Sequence, residues 1–470
     1  MPWSLLSVEL AVCGWILVLL AADLLIPADR KRSLWALALA GIALAAALLI
    51  RQQPSGETFQ TMFLADRFAC YFKGLFLLVT AVVIIMTRES YRHLSSNLGA
   101  FYLLLFTALL GMLVLASIND LLLLFLGLEL LTFSLYIMAA YLKTDSRSVE
   151  AGMKYLILGS VSSGFLIYGV ALLYGFAGGT SFPAIRAALA SGPVTLSAQA
   201  GFLLILAGLG FKVAAVPFHL WVPDVYEGAP TPVVALLSVG SKMAGFVAML
   251  RLLYGVFLPL SGLWAGLIAI LSAATLLYGN LAAIPQTNIK RLLGYSSIGH
   301  AGYLLMGVST ASVPGMQAVA YYLLAYLFSN LTVFLVVVVA SDAIGGDALD
   351  DYKGLSKRSG ALAAAMFIGL ISLAGVPPLA GFVGKLLVLL ATAESRRMWL
   401  VALGAVNVAI SLYYYLMVVK RMYVDAPATI SPIRVSRLTM TVLALLVLGI
   451  VTVGIFQDPF LQRIASALQP

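Results

Sequence analysis

The chain has 470 residues, of which 62% are hydrophobic and 10% are charged, and its formal net charge is +9 at pH 7. Soluble globular domains carry roughly 25% charged and about 45–50% apolar residues, so this composition excludes an ordinary soluble protein and indicates a polytopic membrane protein. The positive charge does not indicate nucleic-acid binding, because the basic residues cluster between long apolar runs, where membrane topology explains them.

About fourteen apolar stretches of roughly 17–25 residues follow one another, each long enough to cross a bilayer as a helix. We predict membrane spans near residues 4–26, 33–50, 68–87, 98–117, 119–142, 148–174, 200–220, 231–254, 262–283, 291–310, 315–341, 361–391, 398–423 and 438–456. Pro217 interrupts the seventh stretch, and the twelfth is long for one crossing and contains Pro377 and Pro378. Because proline blocks a continuous helix, we expect broken helices at spans seven and twelve.

The first stretch has no basic residue before it and is followed by Arg30, Lys31 and Arg32, so we expect it to be retained with its N-terminus outside. The basic residues support an even number of spans with both termini on that side. Sixteen of them fall on the side that would be cytoplasmic: Arg30, Lys31, Arg32, Arg88, Arg92, Lys143, Arg147, Lys290, Arg291, Lys353, Lys357, Arg358, Lys420, Arg421, Arg434 and Arg437. Seven fall on the opposite side: Arg51, Arg67, Arg186, Arg251, Arg396, Arg397 and Arg463.

A weak internal repeat divides the predicted spans. Spans four to eight and spans nine to thirteen each form a five-helix unit with a lysine near a proline break in the fourth helix. An odd number of helices makes the second unit enter the membrane from the opposite side, as in inverted-repeat transporters. We therefore expect an all-α fold with a three-helix segment at 1–97, a first repeat at 98–254, a second at 262–424 and a C-terminal helix at 425–470.

Five ionisable side chains lie deep inside predicted spans, namely Glu129, Lys154, Lys212, Lys242 and Lys385. A charge near the bilayer centre costs roughly 2.5–3.5 kcal/mol on insertion scales, so such residues usually serve a function. Ionisable groups at membrane depth beside broken helices are typical of a proton or ion path.

Glu129 stands among leucines, and Lys154 on the next span is its natural partner. One interpretation is a structural ion pair that locks two helices together. The other is a proton acceptor whose proton affinity changes as the lysine approaches or leaves.

Lys212 precedes Pro217, Lys242 lies centrally in its span near Ser238 and Ser241, and Lys385 follows the proline break of span twelve. Burial favours the neutral form of a lysine, so these three residues are candidate proton carriers. Snorkelling to the interface is the alternative for Lys212, and its position near mid-span argues against it.

His300 and His219 are candidate relay groups, because histidine titrates near neutral pH. A hydrogen-bonded packing role for His300 and a capping role for His219 stay open as alternatives. The remaining span lysine, Lys73, is expected to snorkel near the outer end of its helix. Scattered histidines without ligand spacing predict no metal site, and Cys13 and Cys70 form no C-x-x-C motif. Walker A and Rossmann-type glycine motifs are also missing, so we expect no cofactor in the chain itself.

Three longer motifs carry a family resemblance. Residues 217–233 read PFHLWVPDVYEGAPTPV and are followed by SKM at 241–243, residues 288–303 read NIKRLLGYSSIGHAGY, and residues 373–385 read LAGVPPLAGFVGK. Together they resemble the subunit N family of proton-pumping NADH:quinone oxidoreductase, respiratory complex I. The resemblance covers residues from about 100 to 425.

The resemblance implies a fourteen-helix antiporter-like subunit that moves protons along the Glu129, Lys154, Lys212, Lys242 and Lys385 positions, and the two candidate histidines, His300 and His219, would join this line. It implies membrane partner subunits, a bacterial inner-membrane location with periplasmic termini, and NAD, FMN, iron–sulfur clusters and quinone in those partners rather than here. Two alternatives stay open: a subunit of a multisubunit cation/proton antiporter, and a non-pumping membrane scaffold. The cost of five buried charges argues against the scaffold.

Overall fold

A computed structural model describes residues 3–52, 56–58, 61–90, 97–427 and 431–468, and helices dominate this part of the chain. The helices are α1 (Ser7–Leu25), α2 (Leu34–Arg51), α3 (Arg67–Glu89), α4 (Leu98–Ala116), α5 (Leu121–Ala139), α6 (Ser146–Ala177), α7 (Phe182–Ser191), α8 (Leu196–Val213), α9 (Val222–Gly228), α10 (Thr231–Gly255), α11 (Ser261–Ala283), α12 (Ile289–Ser309), α13 (Val313–Ile344), α14 (Leu355–Arg358), α15 (Gly360–Ala374), α16 (Ala380–Glu394), α17 (Met398–Tyr423), α18 (Arg437–Ile455) and α19 (Gln457–Ala467). Short 3₁₀ turns cover Trp3–Leu6, Ala28–Ser33, Leu258–Leu260 and Leu349–Tyr352.

Twelve helical spans in the described ranges are long and apolar enough to cross a membrane. The chain is therefore a multi-pass membrane protein, as its composition predicted. The span predicted at 291–310 corresponds to α12, and the span predicted at 361–391 corresponds to α15 and α16. The count of fourteen crossings and the division into inverted repeats stay predictions.

Both predicted helix breaks are present. Helix α8 ends at Val213, where Ala214 adopts a left-handed φ of 64°. The chain stays non-helical until α9 begins at Val222, because Pro217 has no backbone N–H to donate. In the twelfth span, α15 ends at Ala374 and α16 begins at Ala380, with the two prolines between them.

The chain divides into two compact units. The first contains residues 1–214, 228–262 and 466–470, and therefore α1 to α8 and α10. Helix α4 packs against α5, α5 against α6, and α6 against α8, which is the most extensive of these contacts. Helix α10 is buried from Pro232 to Leu250. Glycines allow this close packing: a Cβ at Gly169 would meet the carbonyl oxygen of Gly201 at 2.6 Å.

A small β-structure closes one end of the first unit. Strands β1 (Glu57–Thr58) and β2 (Phe63–Leu64) pair antiparallel, and isolated bridges join Phe63 to Ile118 and Asp120 to Ser181. The carboxylate of Asp120 caps the first turn of α5 by accepting from the backbone N–H of Leu122 at 2.7 Å.

Lys73 does not snorkel, which corrects the prediction made for it. Its side chain on α3 is fully buried, and its ammonium lies 2.7 Å from the carboxylate of Glu9 on α1. The ring of Phe63 lies 4.9 Å from the same ammonium. A buried carboxylate on a neighbouring helix satisfies the lysine without a route to the interface, and Glu9 was not singled out in the sequence.

The second unit contains residues 215–227 and 263–465, and therefore most of α11 and α12 to α18. Helix α13 is its central element, is buried over nearly its whole length, and packs against α12, α15, α16 and α18. The connection after α13 folds back onto this unit: Lys290 pairs with Asp347 at 2.9 Å, and Asp350 pairs with Lys353 at 3.1 Å. The Lys353 ammonium, with Arg421, holds the pKa of Asp350 below its usual value.

Candidate functional site

Lys212 lies in the last turn of α8, directly before the break of the seventh span, and only 4% of the residue is exposed. Its ammonium donates to the Thr132 hydroxyl on α5 at 2.9 Å. That hydroxyl in turn donates to the carbonyl oxygen of Leu128 at 2.5 Å. Thr132 therefore holds the Lys212 ammonium inside the first unit. A hydroxyl group can both accept and donate a hydrogen bond, so Thr132 can also pass on a proton.

Glu129 lies one turn before Thr132 on α5, and its carboxylate accepts a hydrogen bond from Ser163 on α6. A cavity of about 20 Å³ lies between α5, α6 and α8. Its lining includes both ionisable groups and four hydroxyl side chains: Glu129, Lys212, Thr132, Tyr136, Ser162 and Ser163. A polar cavity of this volume is sufficient for one water molecule, which would connect the carboxylate to the lysine.

Lys154 lies on α6, the helix that follows the Glu129 helix. Its ammonium forms an ion pair with Glu150 at 2.7 Å, one turn earlier in α6, with side-chain exposures of 44% and 63%. Both residues lie in the first third of α6. This helix has 32 residues and is longer than the roughly 30 Å membrane core. The Glu129–Lys154 partnership stays a prediction: the structure shows Lys212 beside the Glu129 cavity and Glu150 against Lys154.

Lys242 is buried within α10, where 2% of the residue is exposed. A turn of π-helix from Leu237 to Ser241 precedes it directly. Such a turn inserts one extra residue into the helix, changes the direction of the following side chains, and is frequent at functional sites. Ser238 and Ser241, which the sequence suggested as polar neighbours, are buried in the same turn.

Lys385 is the buried lysine beside the helix break of the second unit, and it lies in the second turn of α16. Its ammonium donates to the carbonyl oxygen of Ala374 at 2.9 Å and to the Ser411 hydroxyl at 3.4 Å. It also lies 4.9 Å from the ring of Tyr303. Ala374 is the last residue of α15, so the helix break supplies the carbonyl that binds this lysine.

His300 on α12 is held between two tyrosines. Nδ1 lies 2.7 Å from the Tyr322 hydroxyl, and Nε2 lies 3.1 Å from the Tyr415 hydroxyl. The Tyr415 hydroxyl also forms a hydrogen bond with Ser296. Since a neutral imidazole has one donor and one acceptor nitrogen, the two hydroxyls can exchange protons through the ring.

Helix α17 contacts both candidate proton carriers of the second unit, Lys385 and His300. Ser411 contacts Lys385, and Tyr415, one turn later on the same face, contacts His300. Asn407 and Tyr414 extend this buried polar stripe and both form hydrogen bonds with Asn280. The stripe was not identified in the sequence, although polar residues at helical spacing within an apolar span were the available signal.

His219 lies in the break after α8 and is 4% exposed. Within the described part of the chain, neither of its ring nitrogens has a hydrogen-bond partner, and its ring packs edge-on against Tyr278 with centroids 4.4 Å apart. The structure therefore places His219 in the second unit without a direct hydrogen bond to Lys385 or His300. The described residues also contain no group of three His, Cys, Asp or Glu side chains that could hold a metal ion.

Fold and site together define a multi-pass membrane protein of the antiporter-like class, with a buried lysine beside a helix break in each unit. The family described as "NADH:quinone oxidoreductase/Mrp antiporter, TM" matches residues 118–411. The Moorella thermoacetica protein named NADH-quinone oxidoreductase subunit N is 44% identical over 435 residues, which cover 92% of this chain and 91% of that protein. The chain therefore belongs to the subunit N family of NADH-quinone oxidoreductase.

Solved structures agree with this assignment. A chain of respiratory complex I from Thermus thermophilus superposes with a TM-score of 0.84 at 30% identity, covering 98% of this chain and 99% of that chain. A chain of the Mrp complex from Dietzia sp. superposes with the same TM-score of 0.84 at 20% identity, covering 99% and 97%. The similarity to the Mrp complex chain shows the fold alone, because the identity is only 20%. The family assignment therefore rests on the match to the subunit N protein.

Proposed function

We propose that this chain is a proton-translocating membrane subunit of NADH:quinone oxidoreductase. The observation that carries the proposal is the single small cavity shared by Glu129 and Lys212 in the first unit. An acid and a base facing one polar cavity can exchange a proton over a short distance, which a purely structural ion pair does not require. Membership of the subunit N family supports the same function.

In the first unit, the proton would move between the Glu129 carboxylate and the Lys212 ammonium. Ser163 and Thr132 hold these two groups in place and supply hydroxyls along the way. Lys242 would continue the path, because the π-turn before it sets the direction of its side chain. Lys154 and Glu150 form a charge pair whose rearrangement would change the field at Glu129.

In the second unit, Lys385 and His300 would carry the proton, with Ser411 and Tyr415 as the intervening hydroxyls on α17. Lys385 would keep its proton while its ammonium donates to the carbonyl oxygen of Ala374, and release the proton when that contact opens. His219 would serve as a further relay in the helix break, because among the described residues no group forms a hydrogen bond with either of its ring nitrogens.

The redox reaction would take place in partner subunits. NAD, FMN, iron–sulfur clusters and quinone would bind there, and charge displacement relayed from a neighbouring membrane subunit would drive proton movement here. The runner-up, a component of a multisubunit cation/proton antiporter, is less well supported because the chain of the Mrp complex shares 20% identity with this chain, against 44% for the Moorella thermoacetica protein. Purification of the chain with flavin and iron–sulfur subunits would separate these two functions.

The predicted location is the bacterial inner membrane with both termini in the periplasm. A C-terminal reporter that works only in the periplasm should be active, whereas the same reporter placed after Arg358 should be silent. The physical reason is the excess of basic residues in the loops predicted to be cytoplasmic. Alkaline phosphatase activity measures this directly, and the reverse pattern would refute the orientation.

Glu129→Gln tests the acid of the first unit. The substitution keeps the size and the Ser163 contact but removes the titratable proton, so we expect proton pumping in proteoliposomes to fall at least about tenfold, a change of about 1.4 kcal/mol in barrier. Glu394→Gln is the matched control, because it removes an exposed carboxylate at the end of α16, outside the first unit, and should leave most pumping intact. An assembled Glu129→Gln complex that pumps like the unmodified protein would make Glu129 structural only.

A further inference from the structure

Tyr136 occupies a position between two cavities of the first unit. An open groove of about 590 Å³ runs between α4, α5 and α6, and its lining includes Asn97, Lys143 and Ile137. The Glu129–Lys212 cavity continues along the same pair of helices, α5 and α6. Among the residues that the structure describes, Tyr136 alone lines both the groove and the cavity.

The Tyr136 hydroxyl is buried and has no hydrogen-bond partner among the described residues. The residue is 5% exposed, and its ring packs edge-on against Tyr155 with centroids 4.7 Å apart. A Cβ at position 159 would overlap this hydroxyl, so Gly159 on α6 leaves the room that the hydroxyl occupies. A phenylalanine would pack equally well without leaving a polar group unpaired, so the hydroxyl is not explained by packing.

The groove has a polar mouth and an apolar wall. Its mouth lies at Asn97 and Lys143, at the beginning of α4 and just after α5, and the basic residues of these connections are predicted to be cytoplasmic. From there the groove follows α5 back through Ala140 and Ile137 to Tyr136. Ile137 is 55% exposed, so the groove is open at the surface of this chain as far as that turn.

We propose that Tyr136 is the gate through which protons from the groove reach the Glu129–Lys212 cavity. With the ring in the position described, the groove and the cavity are separated. When the ring turns, the hydroxyl accepts a proton from water in the groove as it donates its own to water in the cavity, so Tyr136 stays neutral. The inference rests on the proposed function and adds the entry route and its gate.

Thiol labelling tests the gate independently of pumping. The intact complex would carry Cys13→Ser and Cys70→Ser, which remove both cysteines of this chain. A membrane-impermeant trimethylammonium methanethiosulfonate would be added to inverted vesicles, and labelling of this chain would be read by mass spectrometry. Ile137→Cys should be labelled with Tyr136 present, whereas Ser163→Cys in the inner cavity should not.

Opening the gate should expose the inner cavity. In a Tyr136→Ala background we expect labelling of Ser163→Cys to rise at least about tenfold, the factor that corresponds to an opening cost of about 1.4 kcal/mol. Phe133→Ala is the matched control, because Phe133 lines the groove but not the inner cavity. Ser160→Cys, exposed on the same helix outside the groove, controls for membrane depth.

The labelling results decide whether Tyr136 is a gate or only a packing residue. Unlabelled Ile137→Cys, equal labelling of Ser163→Cys with and without Tyr136, or an equal rise with Phe133→Ala would overturn the proposal. Tyr136→Phe provides a second variant that preserves packing: Ser163→Cys should stay unlabelled while pumping falls about tenfold. Unchanged pumping in Tyr136→Phe would remove the hydroxyl from the route. Failure of the Lys212 and Glu129 variants to affect pumping would contradict the proposed function instead, whatever the labelling shows.

Discussion

Lys212→Arg is expected to abolish coupled proton pumping, although arginine keeps the positive charge and has more hydrogen-bond donors than lysine. A guanidinium does not release its proton in proteins, so it cannot exchange one with Glu129 across the shared cavity. A positioned proton-transfer group contributes roughly 10²–10⁴-fold, so we expect NADH:quinone turnover and pumping to fall by about 10²-fold in both Lys212→Arg and Lys212→Ala. NADH oxidation by artificial acceptors should continue, because those acceptors take electrons before the membrane subunits are engaged.

The comparison between the two Lys212 variants distinguishes a transferable proton from a fixed charge. Lys353→Arg is the matched control, since Lys353 is 37% exposed in a surface ion pair with Asp350. It should have little effect on pumping, because exposed pairs contribute only about 0–1 kcal/mol. Full pumping by an assembled Lys212→Arg complex, together with loss of pumping in Lys212→Ala, would show that Lys212 supplies charge alone.

Lys73→Met is expected to produce the largest loss of stability in the chain. It leaves the Glu9 carboxylate buried without its cation, and breaking a buried ion pair in this way costs roughly 3–5 kcal/mol. The measurement is the thermal midpoint of the purified complex in detergent, together with the amount of this subunit retained after purification. Both should fall clearly below the values of the unmodified complex.

Two further variants separate the ion pair from simple packing. In Glu9→Gln with Lys73→Met no charge stays buried, so most of the lost stability should return, as replacement of a whole buried pair is often near neutral. Lys31→Met breaks a partly exposed pair, in which Lys31 and Asp23 are 27% and 21% exposed and 2.6 Å apart, and should cost no more than about 1 kcal/mol. Equal losses for Lys31→Met and Lys73→Met would contradict the argument from burial.

Much of the fold followed from local composition. The apolar stretches placed the membrane spans because each helix satisfies its own backbone hydrogen bonds in lipid, whatever its neighbours are. Pro217 and the Pro377–Pro378 pair placed the two helix breaks for an equally local reason, since proline removes a donor and blocks the preceding turn. Burial of Lys212, Lys242 and Lys385 was also predictable, because each lies far from the polar ends of its span.

Tertiary structure decided the partners of these charges. A lysine can pair with any carboxylate or hydroxyl within its reach, and which group that is depends on helix rotation and crossing rather than on spacing along the chain. Lys73 therefore meets Glu9 instead of the interface, and Lys154 forms an ion pair with Glu150, a residue that the sequence did not single out. The sequence by itself determined that ionisable groups lie at membrane depth beside broken helices. Only the packing of α5 against α6 and α8 brought Glu129, Thr132 and Lys212 to one small cavity, because those contacts join residues up to 80 positions apart.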